Sequence, residues 1–371
     1  MQQQPRLPLW FLVVNWALIL FAFVLGSYLG NGRSIDLPDE QSSALEIVYD
    51  EVLRSHIEPP NGPELLERAI AGMVSGLDEY SRYIPPVDVQ SYDERSSGNY
   101  EGIGAKIVTH NDAVIVHFPF PGGPAAEAGL QPGDRVLAVD GTSLDDAETR
   151  ANVVQLVRGP ANSSVKLRIL RDDAERVIEV PRKSVQRPCV KWTHMIDRDM
   201  GLGYVHLADF HPTSAKQVFD AIESLEQVGD LRGLILDLRY DGGGSLDQCI
   251  SIARAFIPSG IIATQMRRAG EDKVYMAKAD ECRWPKLPMV VLVNEGSASA
   301  SEVLSGALQD LHRAVIVGMR THGKGYVNTV YSWKNHDFKL KLTTGSYRTP
   351  SGRNIERNHS TLATPADKEK G

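Results

Sequence analysis

The sequence predicts an α/β core preceded by a helical region and a small, mostly β module. Three observations carry this expectation. Residues 200–358 alternate apolar strands with amphipathic helices, the pattern of a mixed or parallel sheet covered by helices. Residues 98–184 hold short β-rich runs between Gly/Pro turns. Residues 42–75 carry apolar side chains at helical spacing.

Taken in order, the chain opens on an apolar segment. Arg6 is the only charged side chain before residue 31, and from Leu9 to Leu25 only Asn15 is polar. The run from Leu7 to Leu29 is long enough for a bilayer span, which takes about 20 residues. Trp10 falls where an interfacial aromatic would sit. Positive charge precedes the run, which places the body outside the cytoplasm, on the periplasmic or cell-envelope side. Residues 1–30 are therefore expected to be a cytoplasmic stub and transmembrane anchor. The competing reading, a cleaved signal peptide, fits less well because the run is long and no clean small-residue cleavage site follows.

Residues 31–97 read as a linker and then helices. Leu45, Val48, Tyr49, Val52 and Leu53 line one helical face, Pro59 and Pro60 break it, and a second helix starts at Pro63. In 98–184, strands are expected at Ala113–Phe118, Arg135–Val139 and Val165–Leu170, with one helix over Ala147–Val157. In 185–358, strands are expected at Gly233–Arg239, Met289–Val293 and Ala314–Val317. Helices are expected at Leu246–Ile257 and Ser301–Leu311, and residues 359–371 form a polar tail.

Composition removes several function classes. With 40 Lys+Arg against 47 Asp+Glu and a net charge of −7, the chain is no dedicated nucleic-acid binder. Cys189, Cys249 and Cys282 are too few for a disulfide framework and lack metal-ligand spacing. No His/Cys cluster suggests zinc, and no metal or cofactor is expected.

Four motifs point to chemistry. In V-N-E-G-S-A-S-A-S-E, Val293 to Glu302, a buried strand ends, small residues turn the chain and a helix begins. A serine there meets unpaired N–H groups and the positive end of a helix dipole. Ser297, Ser299 and Ser301 compete for that role, and helix capping is the bland alternative. In T-H-G-K-G, Thr321 to Gly325, glycines flank Lys324, which becomes a general base for a serine only if burial lowers its pKa. In D-G-G-G, Asp241 to Gly244, bare N–H groups suit an oxyanion, although a tight turn is the simpler reading. Tyr100 to Ile107, followed by Pro124 to Gly141, offers a glycine loop before a strand, able to hold a chain-terminal carboxylate while a peptide adds at the sheet edge. A Ser-His-Asp triad using His206, His211 or His322 stays open, with no feature orienting any of them.

Together these motifs, in this order over roughly residues 42–356, resemble the carboxy-terminal processing (tail-specific) protease family. That family comprises serine peptidases with an inserted PDZ domain. A-I-A-G-M-V-S-G-L-D-E-Y-S-R-Y, Ala69 to Tyr83, is similar to its helical region. T-P-S-G-R-N-I, Thr349 to Ile355, closes the match. The resemblance implies a ClpP/crotonase-like core at 185–358 and a PDZ domain at 98–184. It assigns Ser299 as nucleophile, Lys324 as general base, and the N–H groups of Ala300 and Gly243 (or Gly244) as oxyanion donors. Glu302 and Asn328 become supporting residues, and Gly102, Ile103, Gly104 and Ala105 the site for the substrate tail. The implied partners are protein or peptide substrates with free C-termini, the membrane through the anchor, and a second copy in a homodimer.

Departures from the family pattern exist. Asn328 replaces the usual Gln, His322 the usual Phe, and Tyr240-Asp241-Gly242-Gly243-Gly244 the usual N-N-P-G-G. The segment that commonly follows T-P-S-G-R is absent, so a truncated or differently ending chain is expected. These departures keep a second reading in play: a PDZ-bearing scaffold with an inactive core.

Overall fold

The structure, a computed structural model, describes residues 38–268 and 270–357. The anchor expected at 1–30 and the tail at 359–371 lie outside these residues. Among the described residues no helix is long and apolar enough to cross a membrane.

Two units divide at Ala69. In the first, helix α1 (Asp39–Ser55) has no buried residue and exposes Leu45, Ile47, Val48 and Leu53. Helix α2 (Gly62–Ser75) runs across the division. The second unit continues with β1 (Arg82–Ile84) and α3 (Pro86–Ser97), whose chain reverses at Gly98 in the left-handed region, φ 72°.

A two-stranded ribbon, β2 (Asn99–Gly102) against β9 (Lys183–Gln186), carries the chain into and out of the β module. Within it, β3 (Ala105–His110), β4 (Ala113–Pro119), β5 (Arg135–Val139), β7 (Ser164–Arg171) and β8 (Ala174–Pro181) form an antiparallel sheet in that order. The short β6 (Thr142–Ser143) pairs with β5, and α4 (Pro124–Glu127) follows the β4 turn. The alternation in β7 is strict: Val165, Leu167 and Ile169 are buried while Ser164, Lys166 and Arg168 face solvent. Instead of the single helix expected at 147–157 there are two, α5 (Ala147–Ala151) and α6 (Val153–Val157). Asn152, at φ −95° and ψ 5°, has left helical geometry between them.

The α/β core is built on a five-stranded sheet ordered β10 (Val190–Asp197), β11 (Leu202–Leu207), β12 (Gly233–Asp237), β15 (Met289–Val293), β16 (Val315–Gly318). All neighbours are parallel except β10 and β11. Helices α7 (Ser214–Val228), α8 (Leu246–Phe256) and α9 (Ala300–Asp310) supply the crossovers that parallel strands need. Their apolar faces join the strands in one cluster that includes Leu236, Val291, Ile252, Phe256 and Leu304. Helix α9 is buried at every position from Ala300 to Leu308, so its N-terminus sits inside the protein.

A second sheet joins segments far apart in the sequence. Strands β1, β18 (Lys339–Arg348), β13 (Ile261–Arg267) and β14 (Lys273–Met276) form it, with β17 (Tyr326–Ser332) also paired to β18. Through β1 it holds the segment around residues 78–84 beside the strands that follow Lys324.

Candidate active site

The apolar strand β15 ends at Val293, and the chain turns through small residues into α9. Three serines lie in this turn, and the structure gives each a different position. Ser297 is buried and donates its hydroxyl to the carbonyl of Leu238 (2.7 Å). Ser301 is buried and donates to the carbonyl of Asp241 (3.0 Å). Both therefore tie the turn to the end of β12. Ser299 is partly exposed, at the N-cap of α9, with φ 54° and ψ −111°. A residue with a Cβ is strained at positive φ, and such strain persists only where the surroundings impose it.

Glu302 is the element that imposes it. Its carboxylate is buried and accepts three backbone N–H groups: Ser299 (2.8 Å), Gly323 (2.6 Å) and Lys324 (2.9 Å). One side chain thus fixes the serine turn and the lysine segment relative to each other. Hydrogen bonds to a charged acceptor are each worth about 1.5–3 kcal/mol.

Lys324 is half-buried, and desolvation holds its pKa below the ordinary lysine range, against the opposing charges of Glu356, Glu302 and Glu79. Its Nζ lies 4.9 Å from the centroid of the Tyr80 ring. Among the described residues no hydrogen bond joins it to Ser299. Tyr80 comes from the D-E-Y-S-R-Y segment before β1; the motif was visible in the sequence, but its approach to Lys324 depends on the second sheet. Asn328 does not reach the lysine: its amide donates to Thr343 Oγ1 (3.1 Å), whose hydroxyl donates to Asp78 Oδ1 (3.0 Å). The shorter side chain supports the Tyr80 segment instead.

The turn after β12 meets the serine turn directly. Gly243, at φ 89°, packs so closely that an added Cβ would lie 2.6 Å from Ala298 O and 2.8 Å from Ala300 N. The two expected oxyanion donors therefore sit side by side. They differ in availability. As the first residue of α9, Ala300 has an N–H without a helical partner. The Gly243 N–H already donates to Asp241 Oδ1 (2.8 Å).

None of the three histidines weighed for a triad hydrogen-bonds Ser299 among the described residues. The backbone N–H of His322 bonds Ser297 O, His206 borders a separate cleft, and His211 is buried 3.1 Å from Asp209. The three cysteines are free; buried Cys249 donates its thiol to Ala300 O (3.2 Å).

The loop expected to hold a substrate tail lies elsewhere. Gly102, Ile103 and Ala105 border a cleft of about 1160 Å³ between the β module and the core. Gly104 takes φ 69°, and its carbonyl accepts the Phe120 N–H (2.8 Å). Strand β3, which the loop enters, is the edge of its sheet, with one side unpaired. Val154 and Val157 of the helical segment and Trp192 and His206 of the core also line this cleft.

Comparison with known proteins agrees with this architecture. The model of peptidase family S41 matches residues 201–362, and that of the PDZ domain matches residues 121–171. The carboxy-terminal processing protease CtpA of Bacillus subtilis is 32% identical over 347 residues, covering 93% of this chain and 73% of that protein. A carboxy-terminal-processing protease of Bartonella bacilliformis is 32% identical over 345 residues, covering 90% of this chain and 78% of that one. An S41 protease of Bacteroides fragilis shares the fold, with a TM-score of 0.54 at 19% identity, over 86% of this chain and 88% of that chain. The molecule is a serine peptidase with a PDZ domain inserted ahead of its α/β core. It belongs to peptidase family S41, among the carboxy-terminal processing proteases.

Proposed function

We propose that this peptidase is held at the membrane by its N-terminal segment, captures protein C-termini in the PDZ cleft and cleaves them with a Ser299–Lys324 dyad. The observation that carries the reading is the Glu302 bridge, which fixes the strained serine and the lysine segment through three N–H groups. A substrate tail would add along β3 with its carboxylate at Gly102–Ala105. Neutral Lys324 would leave the Tyr80 ring, accept the Ser299 proton and return it to the leaving amine. Ser299 Oγ would attack the scissile carbonyl, and water would then release the acyl group. Ala300 N–H is the oxyanion donor in place, and Gly243 N–H the one to be freed from Asp241.

Residues 1–30 as anchor, 98–184 as PDZ domain and 185–358 as peptidase core complete the proposal, with the body outside the cytoplasm. The exposed apolar side chains of α1 favour a homodimer. Purified Ser299→Ala and Lys324→Ala are each expected to lose tail-peptide cleavage by about 10⁴-fold or more, with unchanged circular dichroism. Wild-type turnover by either folded variant would refute the dyad, and absence of cleavage by the wild type would favour a scaffold.

A further inference from the structure

The Asp241 side chain has no place in the dyad, yet the residue ties the glycine turn to the catalytic turn. It is fully buried, and its Oδ2 has no hydrogen-bond partner. Its Oδ1 accepts the Gly243 N–H. Its main-chain carbonyl accepts the Ala298 N–H (2.9 Å) and the Ser301 hydroxyl. The groups that face it are few and mostly anionic or neutral. The Ser301 hydroxyl approaches from the serine turn and Asp209 from the loop after β11. Buried Cys249 of α8 and Cys189, just before β10, share its field. His211 lies beside Asp209. Among the described residues no lysine or arginine pairs with it. An unpaired buried charge is costly, so the neutral acid is the favoured state of this side chain.

Resting on the dyad reading above, we propose that Asp241 is a positioning residue whose proton sets the oxyanion site. As the neutral acid it holds the Gly243 N–H weakly and leaves it to the developing oxyanion. As the carboxylate it keeps that N–H in a charge-assisted bond, about twice as strong as a neutral one, and its charge opposes a second anion beside Ala300. The proton exchanges with solvent, and no bond to substrate forms. Burial, reinforced by Asp209, pushes the carboxyl up to about 8, so the two states interchange in a range where the enzyme can be assayed.

Activity then needs neutral Lys324, favoured by high pH, and neutral Asp241, favoured by low pH. The result is a bell-shaped profile whose alkaline side belongs to Asp241. The test is the pH dependence of kcat for tail-peptide cleavage by the full chain, by Asp241→Asn and by Asp209→Asn. The wild type is expected to fall above about pH 8. Asp241→Asn keeps the amide oxygen for Gly243 but cannot ionise, so its rate continues upward. Its advantage over the wild type, relative to pH 7, should reach about tenfold one to two pH units above the wild-type maximum. Asp209→Asn, with less repulsion on Asp241, should begin its fall at lower pH. A merely structural role would move none of these limbs.

Superimposable profiles for three active enzymes would overturn the proposal. A folded but inactive Asp241→Asn would overturn it too, by showing that the carboxyl itself is required. If no form cleaves peptide and none takes up a fluorophosphonate at Ser299, the dyad reading fails and this inference falls with it.

Discussion

The two glycine loops proposed to meet an anion are built differently. The loop at Gly102–Ala105 opens on an apolar cleft beside an edge strand. The turn at Asp241–Gly244 is wedged against a helix N-terminus, with a buried carboxyl holding one donor. An added Cβ on Gly104 would meet side-chain atoms, Pro124 Cδ at 3.0 Å and Val185 Cγ1 at 3.3 Å. One on Gly243 would meet the backbone of the serine turn at 2.6–2.8 Å. The contrast fits the two tasks proposed for the loops. A loop that captures a mobile tail can sit on adaptable packing. A loop that must match a developing charge needs neighbours that cannot move.

The largest expected effect breaks the rigid side. Gly243→Ala forces a Cβ into backbone at φ 89° and should lower kcat about 10³-fold, the scale of losing one oxyanion donor. Single-turnover kinetics on a tail peptide check this; a change confined to KM would dissolve the contrast. Glu302→Gln comes next. It replaces one of the two acceptor oxygens with a donor facing N–H groups, at a cost of about 1–3 kcal/mol in stability. The resulting misplacement of serine against lysine should cost about 100-fold in kcat. Urea denaturation and steady-state rates read the two effects.

Gly104→Ala sharpens the adaptable side. The strain at φ 69° is about 1–2 kcal/mol, and tail capture should weaken about tenfold, in KM rather than kcat. The last effect is on stability and not on turnover. Folding raises the Asp241 pKa from near 4 to about 8, so the folded state keeps a proton that the unfolded chain releases. That contribution is full below about pH 4 and is lost as pH rises to about 8. Wild-type melting temperatures should therefore fall more steeply across this window than those of Asp241→Asn.

The local parts of the site were legible because local signals specify them. An apolar strand running into small residues and then a helix marks Val293–Glu302, and a glycine cluster after a strand marks Asp241–Gly244. The sequence alone leaves three serines in competition; the bonds of buried Ser297 and Ser301 to the carbonyls of Leu238 and Asp241, just after β12, separate them from Ser299. Other features depend on packing between distant segments. Tyr80 meets Lys324 because β1 joins β18; β1 has only three residues, and the alternation of Lys339 to Leu342 in β18 does not say which strand it pairs with. The Asp241 carboxyl is buried and faces the charge of Asp209, an arrangement that no spacing in the chain reveals. The sequence makes Asn328 a shortened lysine partner, and its bond to Thr343 follows only from the β17–β18 pairing.

The central claim is that Ser299 is activated by Lys324 in a frame set by Glu302. Fluorophosphonate labelling of the full chain, with the modified residue identified by peptide mass spectrometry, tests it most directly. The account predicts a single adduct on Ser299 whose formation rate rises with pH below the ordinary lysine range and collapses in Lys324→Ala. An adduct on another residue, or undiminished labelling of Ser299 in folded Lys324→Ala, would contradict it.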